Sequence, residues 1–400
     1  MNYILFDDQD RNHLLPLTFL RPVSAIRCGI MTLQEKWERR FKIDFSYFTA
    51  KYLRKKFPFV ILSQNIFING ALFPDEGLQK EISKLSSGQA LVSADNKDLL
   101  AFIATEKDIE RLSLSGLDFL TPELLRGFEI KMYHETYIKI SRPWHIFSYN
   151  EMAISKDFDE LTKGRKSALL SQTNRIVGEE NIFIEPGAVV EFSVINATTG
   201  PVYIGSSAEV MENCAIRGPF AMCDSSVLKM GAKIYGATTI GPHCKIGGEV
   251  NNSVFFGYSN KAHDGFLGNS VIAEWCNLGA DTNNSNLKNT YDIVKLWSYP
   301  EGHFVSTGLQ FCGLIMGDHS KTSINTMFNT GTVIGISANI FGDGFPRNYI
   351  PSFSWGGAAG FKKFIFQRAI DVATTVCSRR GVNLSETDVE IFQTLYALSE

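Results

Sequence analysis

The stretch Ile204–Gly247, IGSSAEVMENCAIRGPFAMCDSSVLKMGAKIYGATTIGPHCKIG, decides the fold. In it Ile204, Val210, Ile216, Met222, Leu228, Ile234, Ile240 and Ile246 recur every six residues, and Gly205, Gly241 and Gly247 follow three of them directly. A helix repeats every 3.6 residues and a strand alternates every two, so neither gives this interval. A parallel β-helix does, because each hexad supplies a short strand and a corner and turns one aliphatic side chain into a narrow prism. The fourth residue after each aliphatic position is often small, as at Ala208, Cys214, Ala232, Thr238, Cys244 and Cys276, which predicts that these cysteines are packing groups. A second series, Val254, Phe266, Ile272 and Leu278, is out of phase with the first and skips Asn260, predicting a loop that bulges from the coil there. Met316, Phe328, Ile334 and Ile340 form a third.

Outward from the repeat the chain changes character. Up to about Arg175 it mixes apolar runs with charged, helix-like stretches such as EKWERRF and PDEGLQKEISKL, an α/β pattern. After Gly356, FKKFIFQRAIDVATTVCSRRG and SETDVEIFQTLYALS read as two helices, the first stopped by Gly381 and the second opened by a Ser-x-x-Asp cap. The expected division is an α/β domain over 1–165, a β-helix over 176–355 and a helical segment over 356–400. In SRPWHIFSYNEMAISKDF, Trp144 and Phe147 read as core or interface anchors, since nothing basic interleaves with them.

The 39 basic and 42 acidic residues of the 400 leave a net charge of -3, so no global field calls for nucleic acid or an anionic membrane surface. The start MNYILFDDQDRN is acidic where a signal peptide needs basic residues, and no run has the length of a transmembrane helix; the expectation is a cytoplasmic protein. Seven scattered cysteines, Cys28, Cys214, Cys223, Cys244, Cys276, Cys312 and Cys377, are never spaced as metal knuckles and are expected to be reduced.

One segment breaks the apolar monotony: Asn260–Asn286, NKAHDGFLGNSVIAEWCNLGADTNNSN, places a histidine before a ladder of asparagines. KAHDGFLG, then NLGADT, then Asn286 resemble the acetyltransferase half of the GlmU family, bifunctional enzymes of UDP-N-acetylglucosamine synthesis, within the wider group of left-handed β-helix acyltransferases. The resemblance covers about the second half of the chain. It implies His263 as catalytic base, Asn277 and Asn286 as sugar and acetyl-group contacts, Ala280 as a backbone contact to the acyl donor, and Phe266 and Lys261 beside them. It also implies acetyl-CoA as a substrate and a homotrimer with sites between neighbouring subunits. The chemistry agrees, since an amine must lose a proton to attack a thioester and imidazole titrates where it can take one. Phe266 stands where the family has tyrosine, Asn251 where a phosphate-binding lysine is expected, and Asp292 near another; Lys229, Lys233, Lys261, Lys288 and Lys295 are the available substitutes. From Gly317 onward Lys321 and Arg347 are candidates for the acyl-CoA phosphates.

The front half resembles sugar-nucleotide pyrophosphorylases in the strand NYILFDD and in PLTFLRP, Pro16–Pro22, although DDQDRNH replaces the glycine-rich loop and Val23 the lysine after Arg-Pro. This implies an α/β nucleotidyltransferase-like domain, shortened as in divergent GlmU-like proteins. It would use UTP, a sugar phosphate and Mg²⁺, with Arg11, Arg21, Arg27 and Lys36 toward phosphates and Asn69 and Asp75 toward the metal. The expected function is bifunctional synthesis of UDP-N-acetylglucosamine. The alternatives are a nucleotidyltransferase of other specificity, such as a glucose-1-phosphate thymidylyltransferase, and a non-catalytic trimeric scaffold. A third is a β-helix metalloenzyme of the γ-carbonic-anhydrase kind, for which His243, His263 and His303 are the available imidazoles.

Overall fold

The computed structural model describes residues 2–399 and divides into two units. The first takes in the chain up to Leu14 together with Leu20–Ile26 and Met31–Arg142; the second takes in Leu15–Phe19, Arg27–Ile30 and the chain from Pro143 onward.

The first unit is built on a six-stranded sheet in the order Ser46–Phe48, Asn2–Phe6, Gln64–Asn69, Leu99–Thr105, Gln89–Ser93, Glu129–Tyr133. The first three strands are parallel, Leu99–Thr105 runs antiparallel to both its neighbours, and Glu129–Tyr133 is parallel to Gln89–Ser93. The central strands are nearly continuous apolar runs because both faces are covered: Phe6, Phe48, Phe67 and Phe102 on one side, Leu5, Ile68 and Leu100 with Trp37, Leu78 and Ile82 of two helices on the other. Those helices, Leu33–Phe41 and Glu76–Ser83, start at Thr32 and Asp75, whose side chains accept from the backbone N–H groups of Glu35 and Leu78. The carboxyl ends of the parallel strands, where open α/β sheets bind ligands, carry Asp7, Asp8 and Asn69.

The second unit is a parallel β-helix with three faces. One face stacks nine strands from Ile182–Ile184 to Tyr349–Ile350, a second starts at Val189–Val190, and the third runs from Arg175–Val177 to Phe266–Gly268. Register locks the hexads in place: Ile204 lies over Ile184 and under Met222, and Val210 over Val190 and under Leu228. These aliphatics fill the prism, each worth about 1.5–3 kcal/mol of burial. All seven cysteines are free and buried. The first face is covered by the helices Pro143–Ser148 and Asn150–Thr162, where Ile154 packs on Phe183, Tyr203 and Ala221 and the Asn150 amide donates to Ala237 O at 2.8 Å. Arg27 belongs to this unit and donates to Phe256 O at 3.2 Å and to Ile30 O.

The phase shift has a different origin from the one expected. No loop bulges at Asn260; Asn260–Lys261 is a strand on Lys245–Ile246, and Lys261 takes the inward place above Ile246. The shift arises earlier, where Gly247 and Gly248 shorten a corner so that Val250 enters the prism, and Leu267 rather than Phe266 continues inward above it. The true excursion follows Asn284: the chain leaves the coil, forms the antiparallel hairpin Lys295–Ser298 with His303–Ser306, and returns at Leu314–Met316 above Ile272. At the other end, the residues after Gly356 do not enter a helix at once. Ser354–Gly357 pairs antiparallel with Gly360–Lys363, and the helices are Phe366–Ser378 and Glu386–Leu398, the second capped by Ser385 and Asp388 as its sequence predicts. They lie on the second face, where Arg380 donates to Asn260 Oδ1 at 2.8 Å and to His243 O at 3.3 Å.

Candidate functional sites

His263 sits on the corner between the second and third faces, in the turn joining Asn260–Lys261 to Phe266–Gly268, and its side chain is exposed. The turn fits because of what lies below. Gly248, with φ +72°, leaves room that a Cβ would close to 2.9 Å from His263 O. From inside the prism the Lys261 ammonium donates to His263 O and to Gly247 O, both at 3.0 Å. Lys261 is 1% exposed, and burial pulls its amine down to about 8 although Asp264 and Asp281 favour the charge. One turn above, Ala280 occupies the same corner, its carbonyl accepting from Asn325 N at 2.8 Å, while Asp281 N donates to Asp264 O.

The remaining predicted residues divide between two places. Phe266 and Asn286 flank Gly268, where a Cβ would meet the Asn286 amide at 2.6 Å and the Phe266 ring at 2.7 Å; Asn286 also donates to Asn269 Oδ1 at 2.8 Å. Asn277 lies outward on the second face, between Asn260 and Lys321, and is exposed. The other asparagines of the ladder are structural. Asn283 Oδ1 accepts from Phe266 N and Asn284 Oδ1 from Gly268 N, so side chains replace the missing ladder bonds where the third face ends. Asn284 is 3% exposed, and its amide also donates to Gly268 O and Ser270 Oγ. Asn284→Leu is therefore expected to cost about 1–3 kcal/mol, from the orphaned Gly268 N–H, and to lower the melting temperature measured by circular dichroism.

A cavity of about 1170 Å³ opens beside the excursion hairpin. Trp297 stacks on Tyr349 there with centroids 4.2 Å apart, Phe304 meets Trp297 edge-on, and Lys288, Lys295, Arg347, Lys362 and Lys363 line the wall, with no carboxylate among the described lining residues. Lys321 is elsewhere: it donates to His319 O on the second face, and burial lowers it to about 8. The three imidazoles of the metalloenzyme reading do not converge within the chain. His243 heads a stack with Tyr258, Trp275 and His319 on the corner before the second face, His263 is on the corner after it, and His303 is on the hairpin.

In the first unit Arg11, Arg21 and Lys36 are all buried. Arg11 pairs with Asp7 at 3.2 Å and donates to Tyr52 Oη, and Lys36 lies over the Phe73 ring. Asp7 accepts from Val23 N and Thr49 Oγ1, tying the first strand to the residue after Pro22, and burial raises its carboxyl to about 6. Asp75 Oδ1 caps a helix, and Asn69 donates its amide to Asp8 Oδ2 and Leu99 O while its Oδ1 accepts from Ala71 N. Sequence reasoning missed the group at the strand ends. Asp8, Asp10 and Asp98 bring oxygens within 4.8 Å of one another, the one such group of possible metal ligands among the described residues, and Lys139 Nζ lies among them. DDQDRNH displays two of these residues; Asp98 and Lys139 come from distant segments with no local signal.

A family model described as sugar nucleotidyl transferase matches residues 3–166. A bifunctional sugar-1-phosphate nucleotidylyltransferase/acetyltransferase of Sulfurisphaera tokodaii is 26% identical over 250 residues, 62% of this chain and 55% of the relative. A bifunctional protein GlmU of Picosynechococcus is 29% identical over 158 residues, 39% of this chain and 28% of the relative. The match thus spans about half of one relative and under a third of the other. Among solved structures, the polysialic acid O-acetyltransferase OatWY is similar at 12% identity and a TM-score of 0.26, covering 48% of this chain and 87% of that one.

Proposed function

We propose that this chain, whose residues 3–166 match a sugar nucleotidyl transferase model and precede a β-helix, is a divergent GlmU-like transferase whose β-helix acetylates the amine of glucosamine 1-phosphate from acetyl-CoA. The observation that carries this reading is His263, exposed on a corner whose backbone is fastened from within by Lys261. The amine attacks the thioester carbonyl, the C–N bond forms, and His263 takes the proton the nitrogen must lose. The C–S bond then breaks, and the thiolate leaves and is protonated. Asn277 and Asn286 suit sugar hydroxyls, since amides donate and accept without adding charge.

The cavity beside the hairpin suits the other end of acetyl-CoA: cations for its phosphates and the Trp297–Tyr349 pair for the adenine. It lies away from the His263 corner, so donor and acceptor would meet across a boundary between copies, as in a homotrimer. Exposed Met230 and Ile324 on the His263 corner, and Val177 and Val194 on the third face, support such a boundary. Light scattering tests the assembly. Arg347→Ala combined with Lys362→Ala is expected to raise the KM for acetyl-CoA by about tenfold with kcat little changed, read by thiol release. An unchanged KM removes the cavity from the reading.

For the first unit the same reading assigns uridylyl transfer: the phosphate of N-acetylglucosamine 1-phosphate attacks the α-phosphorus of UTP and pyrophosphate leaves. Product chromatography with UTP and each sugar phosphate tests it. The burial of Arg11, Arg21 and Lys36 inside the unit favours a second reading, in which the domain holds a sugar nucleotide without turning it over. On the β-helix, Phe266 offers no hydroxyl, which favours testing other amino sugars as acceptors beside glucosamine 1-phosphate.

A further inference from the structure

The crevice at the strand ends of the first unit is where a nucleotidyltransferase of this kind would hold Mg²⁺, yet every one of its carboxylates is already engaged by donors of the chain. Lys139 Nζ lies 2.6 Å from Asp8 Oδ2, 2.7 Å from Asp10 Oδ2 and 2.5 Å from Asp98 Oδ1, so the three hydrogens of the ammonium meet three carboxylates. The other oxygens also have donors. Asp8 Oδ1 accepts from Asp10 N at 2.9 Å, Asp8 Oδ2 additionally from Asn69 at 2.7 Å, Asp98 Oδ2 from Tyr137 Oη at 2.6 Å, and Asp10 Oδ1 faces Arg142 at 3.5 Å. Lys139 is 9% exposed; burial disfavours its charge, but the three carboxylates outweigh burial and hold it firmly protonated.

We propose that Lys139 stands in for a divalent cation: the chain supplies from within the positive charge that ties Asp8, Asp10 and Asp98 together, and the cluster takes no Mg²⁺ in the resting protein. A divalent ion needs several oxygens at once and an octahedral shell, and here it would have to displace an ammonium that makes a bond to each carboxylate. The residues that surround the cluster therefore do not fit a resident metal, and the uridylyl step assigned to this unit is not routed through one.

The test is binding of Mn²⁺ alone to the full chain, followed by the electron paramagnetic resonance signal of the free ion, so the outcome is independent of either transfer activity. Wild type is expected to bind no Mn²⁺ that Asp98→Asn abolishes, whereas Lys139→Ala is expected to bind one per chain at least about tenfold more tightly than wild type does. A wild-type site lost in Asp98→Asn, or a folded Lys139→Ala no better than wild type, overturns the proposal. Removing the ammonium leaves three carboxylates, one buried and two half-buried, facing one another, so Lys139→Ala can be too unstable to titrate. In that case thermal melting of Lys139→Met decides: an upward shift with Mn²⁺ that wild type lacks supports the proposal, and no shift overturns it.

Discussion

His263→Ala is expected to lower the rate of thiol release from acetyl-CoA in the presence of glucosamine 1-phosphate by about 10²–10⁴-fold, while the melting temperature stays within error of wild type. The two halves of the expectation have separate grounds. A general base contributes by that order because the amine cannot complete its attack while it holds the proton. Stability is untouched because the imidazole is exposed, and the bonds that fix its turn are made by its carbonyl, which alanine keeps. His263→Asn, which retains a polar side chain but no comparable basicity, should be as inactive as alanine. Full activity in either variant would take His263 out of the chemistry and leave the corner with no assigned base.

Much of this was legible in the sequence because a hexad repeat is a register instruction. Each aliphatic residue from Ile204 to Ile246 has one place in the prism, and a partner one turn away confirms it. The reading failed where a polar residue does an apolar residue's job. Asn260 looked like a break because the inward residue beside it is Lys261, a charged side chain that no hydrophobic series would include. The asparagine ladder mixes two kinds of residue, because replacing a strand's missing hydrogen bonds, as Asn283 and Asn284 do, and binding a sugar call for the same amides. The strand NYILFDD and the segment PLTFLRP marked the nucleotidyltransferase-like half, but the cluster around Lys139 joins three separate segments of the chain. Only folding brings them together.

Lys261 supplies the second large effect, and it is a pH effect. Its side chain lies inside the prism above Ile246, and burial lowers its amine from the ordinary 10.5 to about 8. Between those values the unfolded chain keeps a proton that the folded chain has released, so stability rises with pH across the window from about 8 to 10.5. Below about 8 both states carry the proton and the folded state bears the full cost of burying it, about 3 kcal/mol. Lys321 shifts in the same direction to the same value, so wild type should show the sum of two such slopes and Lys261→Met about half of it. Chemical denaturation at pH 7.5, 9 and 10, set against the roughly 10.4 of a free lysine, reads the difference, and parallel curves for wild type and Lys261→Met would remove Lys261 as the source. At neutral pH the variant escapes the cost of a buried charge but orphans the carbonyls of Gly247 and His263, two terms of similar size and opposite sign. Stability there should move little while acetyl transfer falls, because the missing bond to His263 O is what fastens the catalytic turn. A Lys261→Met protein with wild-type turnover would show that the turn holds its geometry without the ammonium beneath it.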